Sequence, residues 1–420
     1  MQPYFKTAEV SPTAVEAHCR RTAAVAKLIA HHLFLPSEEQ DLLNAACLLH
    51  HRSIGLLAPK SMERLLAGVF GETAPAFVVD DHIPVIVRGV LNACDVPGRG
   101  TALESKLAGI LRVADAFDQD MEAQPIDAKE VGEILEGLRR GAEVGLWPDE
   151  SIDALAQSTR PASIGQAESW RVPISPQAAL RTLRLMRDPR ANLVGVVEAA
   201  SLDPATAGLV MKLSNSALYG SRTPVSTLAQ AIGRLGFATS QKVIISAALR
   251  PVFGSPKLQE VWQHSLHVAD LAEQLACHTG TIDPAEAYLA GLVHDVGQIA
   301  LLSMQLYDAA RLQGLEHGGC PRVYSENLLL RTDHAALGAQ IADGWRLPGT
   351  MVSAIRQHHR PENTESPLAH LLYVAEYVSG SEEDLPSIIR LEASLKGIGL
   401  AWDDVGDYTV SALGRWLAAA

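Results

Sequence analysis

Residues 291–300 read GLVHDVGQIA: a His-Asp doublet, His294 and Asp295, set in an apolar stretch that runs from Asp283 to Leu302. Asp283-Pro284 is a helix start, an acceptor side chain followed by Pro at the first helical position. Ala, Leu and Val behind it favour continued helix. An ionisable pair inside an apolar helix is costly unless it is hydrogen-bonded, paired or bound to metal. Neighbouring helical residues project about 100° apart. Both side chains therefore address one site only if a helix end presents them.

Outward from this stretch the chain reads as a succession of helices. Toward the C-terminus they are expected near 322–331, 333–344, 348–359, 366–379 and 386–395, with a last one ending at Trp416. Toward the N-terminus they are expected near 259–278, 239–249, 226–234, 204–213, 192–201 and 176–187, with a break at Gly236. Residues 143–174, with prolines at 148, 161 and 173, read as a linker carrying at most one short helix near 149–157. In the N-terminal part, Ser11-Pro12 opens a helix whose one face carries Val15, His18, Thr22, Val25, Ile29 and Leu33. Ser37-Glu38-Glu39-Gln40 has the form of a capping box opening a second helix to His50. Residues 103–117 and a charged segment ending near Gly141 are helical, whereas 83–90 is β-branched enough to leave strand or helix undecided. From 175 onward no segment alternates, and the fold class is all-α.

With 420 residues the chain can build about two to three domains. Its net charge of −13, from 35 basic and 48 acidic residues, argues against a protein that grips phosphate backbones. The helix–Gly236–helix segment superficially resembles a helix-turn-helix, but only Arg234, Lys242 and Arg250 supply charge there, so DNA binding is not expected. The five cysteines form no CxxC pair and fit small buried residues of a reducing compartment. The N-terminus MQPYFKTAEV lacks a signal-peptide layout, and no apolar run reaches membrane-spanning length. A soluble, cytoplasmic protein without a membrane partner is expected.

His264, His294, Asp295, His334, His358 and His359 are candidate ligands for a first-row divalent metal, since imidazoles and carboxylates on several helices suit such ions. Two ions could share the carboxylate of Asp295. Each histidine taken singly has a plainer reading as a hydrogen-bonded core residue. The N-terminal part echoes the set: His18 parallels His264, HHRSIG at 50–55 parallels HDVG at 294–297, and VADAFD at 113–118 parallels VAEYVS at 374–379. Such an echo suggests duplication of one domain type. Trp262 and Trp345 read as core anchors, His31-His32 and Arg20-Arg21 with Lys27 as solvated faces, and Ser214, Asn215 and Ser216 as helix caps.

HSLHVA (264–269), GLVHDVG (291–297), DHAALGAQIADGW (333–345), AIRQHH (354–359) and LLYVAEYVSG (371–380) together resemble the HD superfamily of phosphohydrolases. Residues 174–236 carry the helical segment peculiar to the HDOD domain, the HD-related output domain of bacterial signalling proteins. The resemblance implies an HDOD domain over 172–420, with a helical subdomain at 172–255, an HD-like core at 256–380 and C-terminal helices at 381–420. It also implies one or two divalent ions, iron, manganese or similar, on His264, His294, Asp295, His334, His358, His359 and Glu376. Glu376 replaces the family's final Asp, Gln298 stands where catalytic relatives have a Lys, and Asp295 would be the catalytic residue were the site active. Residues 1–142 are similar to an HD-GYP domain, the kind that hydrolyses cyclic di-GMP, through AHCRRTAAVAKLIAHHLFL (17–35), AACLLHHRSIG (45–55) and ILRVADAFDQDMEAQP (110–125). That site is degenerate: His18, His50 and Asp115 remain, His51 replaces the Asp of the doublet, and NACDVPG (92–98) stands in place of the GYP signature. A linker, 143–171, joins the two.

The resemblance implies a bacterial signal-transduction protein that acts by binding a signalling protein or a nucleotide second messenger, without catalysis, and a homodimer is compatible with it. Two other readings stay open: a metal-dependent phosphohydrolase of cyclic nucleotides or other phosphoesters at the C-terminal site, and a receptor that binds cyclic di-GMP without cutting it.

Overall fold

The structure is a computed structural model. It describes residues 12–51, 85–96, 99–123, 130–160, 193–201, 204–219, 223–250, 258–303, 309–380, 388–405, 408 and 411. Among them every regular element is helical. The first six helices are α1 (Pro12–His32), α2 (Ser37–Leu49), α3 (Val85–Asp95), α4 (Ala102–Ala123), α5 (Glu130–Glu143) and α6 (Asp149–Ser158). Then follow α7 (Leu193–Ser201), α8 (Pro204–Ser214), α9 (Leu228–Leu235), α10 (Phe237–Leu249), α11 (Gln259–Thr279), α12 (Pro284–Val293) and α13 (Val296–Ser303). The rest are α14 (Ala309–His317), α15 (Arg322–Leu330), α16 (His334–Gly344), α17 (Gly349–Gln357), α18 (Pro367–Ser379), α19 (Ile388–Ile398) and the single turn α20 (Trp402–Val405). No helix among the described residues is long and apolar enough to cross a membrane. The expected helix at 176–187 and the one ending at Trp416 lie outside the described residues.

The chain forms two compact units, and neither is continuous in sequence. Unit 1 takes residues 1–164 and 308–333, and unit 2 takes 165–307 and 334–420. In unit 1, α1 buries Val15, Thr22, Val25 and Ile29 completely and packs against α2, α4 and α6. The helix expected near 149–157 thus forms as α6 and docks on α1. The β-branched stretch at 83–90 belongs to helix α3, whose buried Val87, Val90, Leu91 and Cys94 follow helical spacing against α4. The capping box at 37–40 does not form. Pro36 takes the cap position without a side-chain bond, and the Gln40 amide donates to the Leu35 carbonyl at 2.8 Å. Helix α14, which the sequence pattern does not announce, returns the chain to unit 1 and packs on α1 and α15. Four cysteines are buried as expected, but Cys277 is exposed.

Unit 2 has one apolar core running from Val196 to Val405. Helix α11 is its centre and packs on α12 and α18. Trp262 is buried in this core, and Trp345 packs at its edge. Gly236 ends α9 and begins α10 with a φ of 79°, which glycine adopts without strain. In the LSNSALYG segment Ser214 and Ser216 cap as expected, donating to the last carbonyls of α8 at Met211 (2.9 Å) and Leu213 (2.7 Å), whereas Asn215 does something else. Asn215 accepts from the Val225 amide at 2.9 Å and donates to the Val225 carbonyl at 3.0 Å, closing the loop between α8 and α9. Arg234 braces the same loop through the carbonyls of Ser214 and Thr223. Because Asn215 is exposed, Asn215→Ala is expected to cost only about 1 kcal/mol. Urea denaturation of the full chain checks this, and an unchanged midpoint would deny the latch any role in stability.

Candidate metal centres

In unit 2 the apolar stretch 283–302 is two helices with the doublet at their break. Asp283 caps α12, accepting from the Ala285 amide at 3.0 Å with Pro284 behind it. His294 is the C-cap of α12, and α13 starts at Val296. A helix end therefore does present both side chains to one site. His334 opens α16, His358 caps the end of α17 with His359 beside it, α11 contributes His264, and α18 contributes Glu376. Helix ends supply most of these groups because a chain reversal there lets consecutive residues face inward together.

The seven residues converge. Asp295 Oδ2 lies 3.4 Å from His294 Nε2 and 3.5 Å from His264 Nε2. Asp295 Oδ1 lies 3.3 Å from His334 Nε2 and 3.8 Å from His358 Nε2. Glu376 Oε1 is 3.0 Å from His294 Nε2 and 3.7 Å from His358 Nε2, while its Oε2 is 3.7 Å from His359 Nδ1. Two donor groups, each spanning no more than 4.8 Å, overlap here: Asp295 with His334, His358 and His359, and His294, Asp295, His358 and Glu376. Asp295 and His358 belong to both. His264 completes the shell at 3.2 Å from His294.

Electrostatics fit this set to a cation. The Nδ1–H groups of His294 and His358 donate to the carbonyls of Gly291 at 2.7 Å and Ile355 at 2.5 Å. That fixes Nδ1 as a protonated nitrogen and turns each Nε2 toward the carboxylates. Asp295 Oδ1, Glu376 Oε2 and His358 Nε2 are buried and have no hydrogen bond among the described residues. Orphaned acceptors in a buried site are costly unless a cation meets them. Burial pushes His264 down to about 4, offset only in part by Asp295. Burial, with the surrounding imidazoles, also holds His358 low. His294 is opposed by burial, but Asp295 and Glu376 outweigh it and raise it to about 9. Gln298, buried at the start of α13, donates its amide to Asp295 Oδ2 at 2.8 Å.

Unit 1 assembles His18, His50, His51 and Asp115 in the same way. His18 Nε2 lies 3.0 Å from Asp115 Oδ1 and 3.2 Å from His50 Nε2, and His50 Nε2 lies 3.4 Å from the same oxygen. Two further residues complete the cluster that sequence reasoning left out. Asp118, fully buried, accepts from His18 Nδ1 at 2.7 Å and from Arg21 at 2.9 and 3.1 Å. Arg21 is therefore buried, not part of a solvated face, and its guanidinium carbon sits 5.8 Å from the Tyr324 ring centroid. The signal was present in the spacing, since Arg21 follows His18 by three residues and Asp118 follows Asp115 by three. Arg20 pairs with Glu16, and His31 and His32 are exposed, as expected. Burial opposes charge on His50, but Asp115 outweighs it and raises His50 to about 10. Burial and the charges of His50 and His18 push His51 down to about 3.

Residues 172–361 match the family model of the HDOD domain. The chain is 25% identical over 213 residues to an uncharacterised protein of Treponema pallidum, covering 50% of this chain and 42% of that protein. It is 27% identical over 183 residues to ribonuclease Y of Deinococcus radiodurans, covering 42% of this chain and 24% of that enzyme. The chain thus spans less than half the length of these curated relatives. A solved structure from Marinobacter aquaeolei VT8, provisionally described as a signal transduction protein, superposes with a TM-score of 0.50 at 21% identity over 64% of this chain and 62% of that one. That likeness is one of fold. Residues 172–361 of this all-helical chain, which carry His264, His294, Asp295, His334, His358 and His359, are thus the part that matches the HDOD domain.

Proposed function

We propose that the protein is a metal-binding regulatory protein of bacterial signalling, whose unit 2 holds divalent metal and which acts by binding a protein partner or a nucleotide second messenger without turning it over. The observation that carries this is the pairing of a full donor set with Gln298. A divalent ion bound there would polarise a phosphoryl oxygen and acidify a bound water. Phosphoryl transfer also needs positive charge on the developing oxyanion. Three residues after Asp295 this chain has a neutral amide, Gln298, which donates to Asp295 Oδ2.

The competing reading is a phosphohydrolase at the same centre, favoured by the complete donor set and by the likeness to ribonuclease Y, a phosphodiester-cleaving enzyme by its name. Metal analysis combined with turnover separates the two. Purified protein loaded with manganese or iron is expected to retain metal and to cleave neither bis(p-nitrophenyl) phosphate nor cyclic di-GMP. Turnover that Asp295→Ala abolishes while the protein stays folded would overturn the regulatory reading. Titration calorimetry with cyclic di-GMP identifies or rejects that nucleotide as the ligand.

A further inference from the structure

The histidine cluster of unit 1 repeats the local construction of the unit 2 centre while changing one donor. In each, the first histidine sits on a long helix and places its Nε2 3.2 Å from the Nε2 of the second. In each, the second histidine follows the end of a helix and gives Nδ1 to the carbonyl three residues back, Cys47 for His50 and Gly291 for His294. His51 then stands where Asp295 stands, and Asp115 where Glu376 stands. The exchange replaces a carboxylate that two ions could share with an imidazole that serves one.

We propose that unit 1 binds a single divalent metal ion through His18, His50, His51 and Asp115. Four donor atoms, one from each residue, lie within 4.8 Å of one another. Three of them, His18 Nε2, His50 Nε2 and Asp115 Oδ1, form a nearly equilateral triangle with sides of 3.0, 3.2 and 3.4 Å. A tetrahedral zinc with bonds of about 2.0–2.1 Å has donor–donor edges of about 3.3–3.4 Å. The tautomers agree. His18 Nδ1–H donates to Asp118, itself held by Arg21, and His50 Nδ1–H donates to the Cys47 carbonyl, so both Nε2 atoms face the triangle, where a bound ion takes the place of their protons. A carboxylate–histidine pair behind a donor nitrogen both orients it and raises its basicity. Three imidazoles and one carboxylate favour zinc, cobalt or nickel over the hard, oxygen-seeking ions. This site does not depend on the reading of unit 2.

The test uses the full chain with Asp295→Ala and His358→Ala, which dismantle the unit 2 centre. The protein is loaded with zinc, passed over a chelating resin and assayed by mass spectrometry. One zinc per chain is expected to remain, and the cobalt-loaded form should show the intense visible bands of a four-coordinate ion. Adding His51→Ala or Asp115→Ala should abolish both signals, whereas His51→Asp, which keeps a ligand at that place, should retain the metal. In the otherwise native chain, His51→Ala should lower total zinc by one equivalent, which keeps the test decisive if the double variant does not fold. A folded double variant that holds no zinc, or zinc retention indifferent to His51 and Asp115, overturns the proposal and leaves a proton shared among His18, His50 and Asp115. Failure of the unit 2 reading would look different: metal content would not respond to Asp295→Ala.

Discussion

Replacing Asp295 with alanine is expected to strip unit 2 of its metal and to remove the metal-dependent rise in its melting temperature. The carboxylate is the one anionic group that both donor sets share. Four imidazoles, those of His264, His294, His334 and His358, lie within 3.8 Å of its oxygens. Each buried imidazole has given up water to face it. Without the carboxylate, Glu376 is the remaining anion of the set and faces the His294, His358 and His359 side. An ion present at a hundred times its dissociation constant stabilises the folded state by about 2.7 kcal/mol. For a unit of this size that corresponds to a rise of about 5–10 °C. Calorimetric scans with and without manganese should show such a rise in the native chain and none in Asp295→Ala. A rise that survives the substitution would mean that the carboxylate is not the shared ligand.

Six residues of that centre were legible in the sequence, because histidines and an acid inside apolar helices stand out against their surroundings, while Glu376 came only with the family resemblance. What the sequence could not show is how they meet. The stretch 283–302 is mainly apolar and reads as one helix, yet it breaks at His294 so that both members of the doublet turn inward. On either side of the break, α12 packs against α11, the helix before it, and α13 against α16, which lies beyond two intervening helices. Arg21 was misread for a related reason. An Arg-Arg-Thr run looks solvated until Asp118, 97 residues away, is placed against it. Helix α14 went unread because its apolar residues Leu312 and Leu315 are few and its burial depends on α1. Local signals fared unevenly. Asp283-Pro284 caps α12 as its chemistry dictates, while Ser37 lost its cap to the Gln40–Leu35 bond.

The glycines around the doublet carry the second large expectation. A Cβ added at Gly297 would stand 1.9 Å from the His334 carbonyl oxygen, 2.7 Å from the Gly338 amide nitrogen and 2.8 Å from the His334 carbonyl carbon. Every one of these atoms is backbone, so no rotamer change can make room. Helices α13 and α16 meet main chain to main chain, which is what brings His334 within reach of Asp295. Gly291 plays the same part between α12 and α11, where a Cβ would lie 2.7 Å from the Ala269 Cα. Overpacking a core typically costs about 1–3 kcal/mol. Since here a helix must shift bodily, Gly297→Ala is expected to cost about 3 kcal/mol or more and to lose metal together with stability, because His334 moves with the backbone it belongs to. Gly233, inside α9 with nothing within 4 Å of its would-be Cβ, is the control. Alanine there should stabilise the protein by about 0.5–1 kcal/mol and leave metal content unchanged. Denaturation midpoints and metal stoichiometry of the two variants, measured side by side, separate a general intolerance of alanine from a specific approach of two backbones. A Gly297→Ala protein that melts with the native chain and keeps its metal would mean that α13 and α16 do not meet through their main chains. The position of His334 would then need another cause.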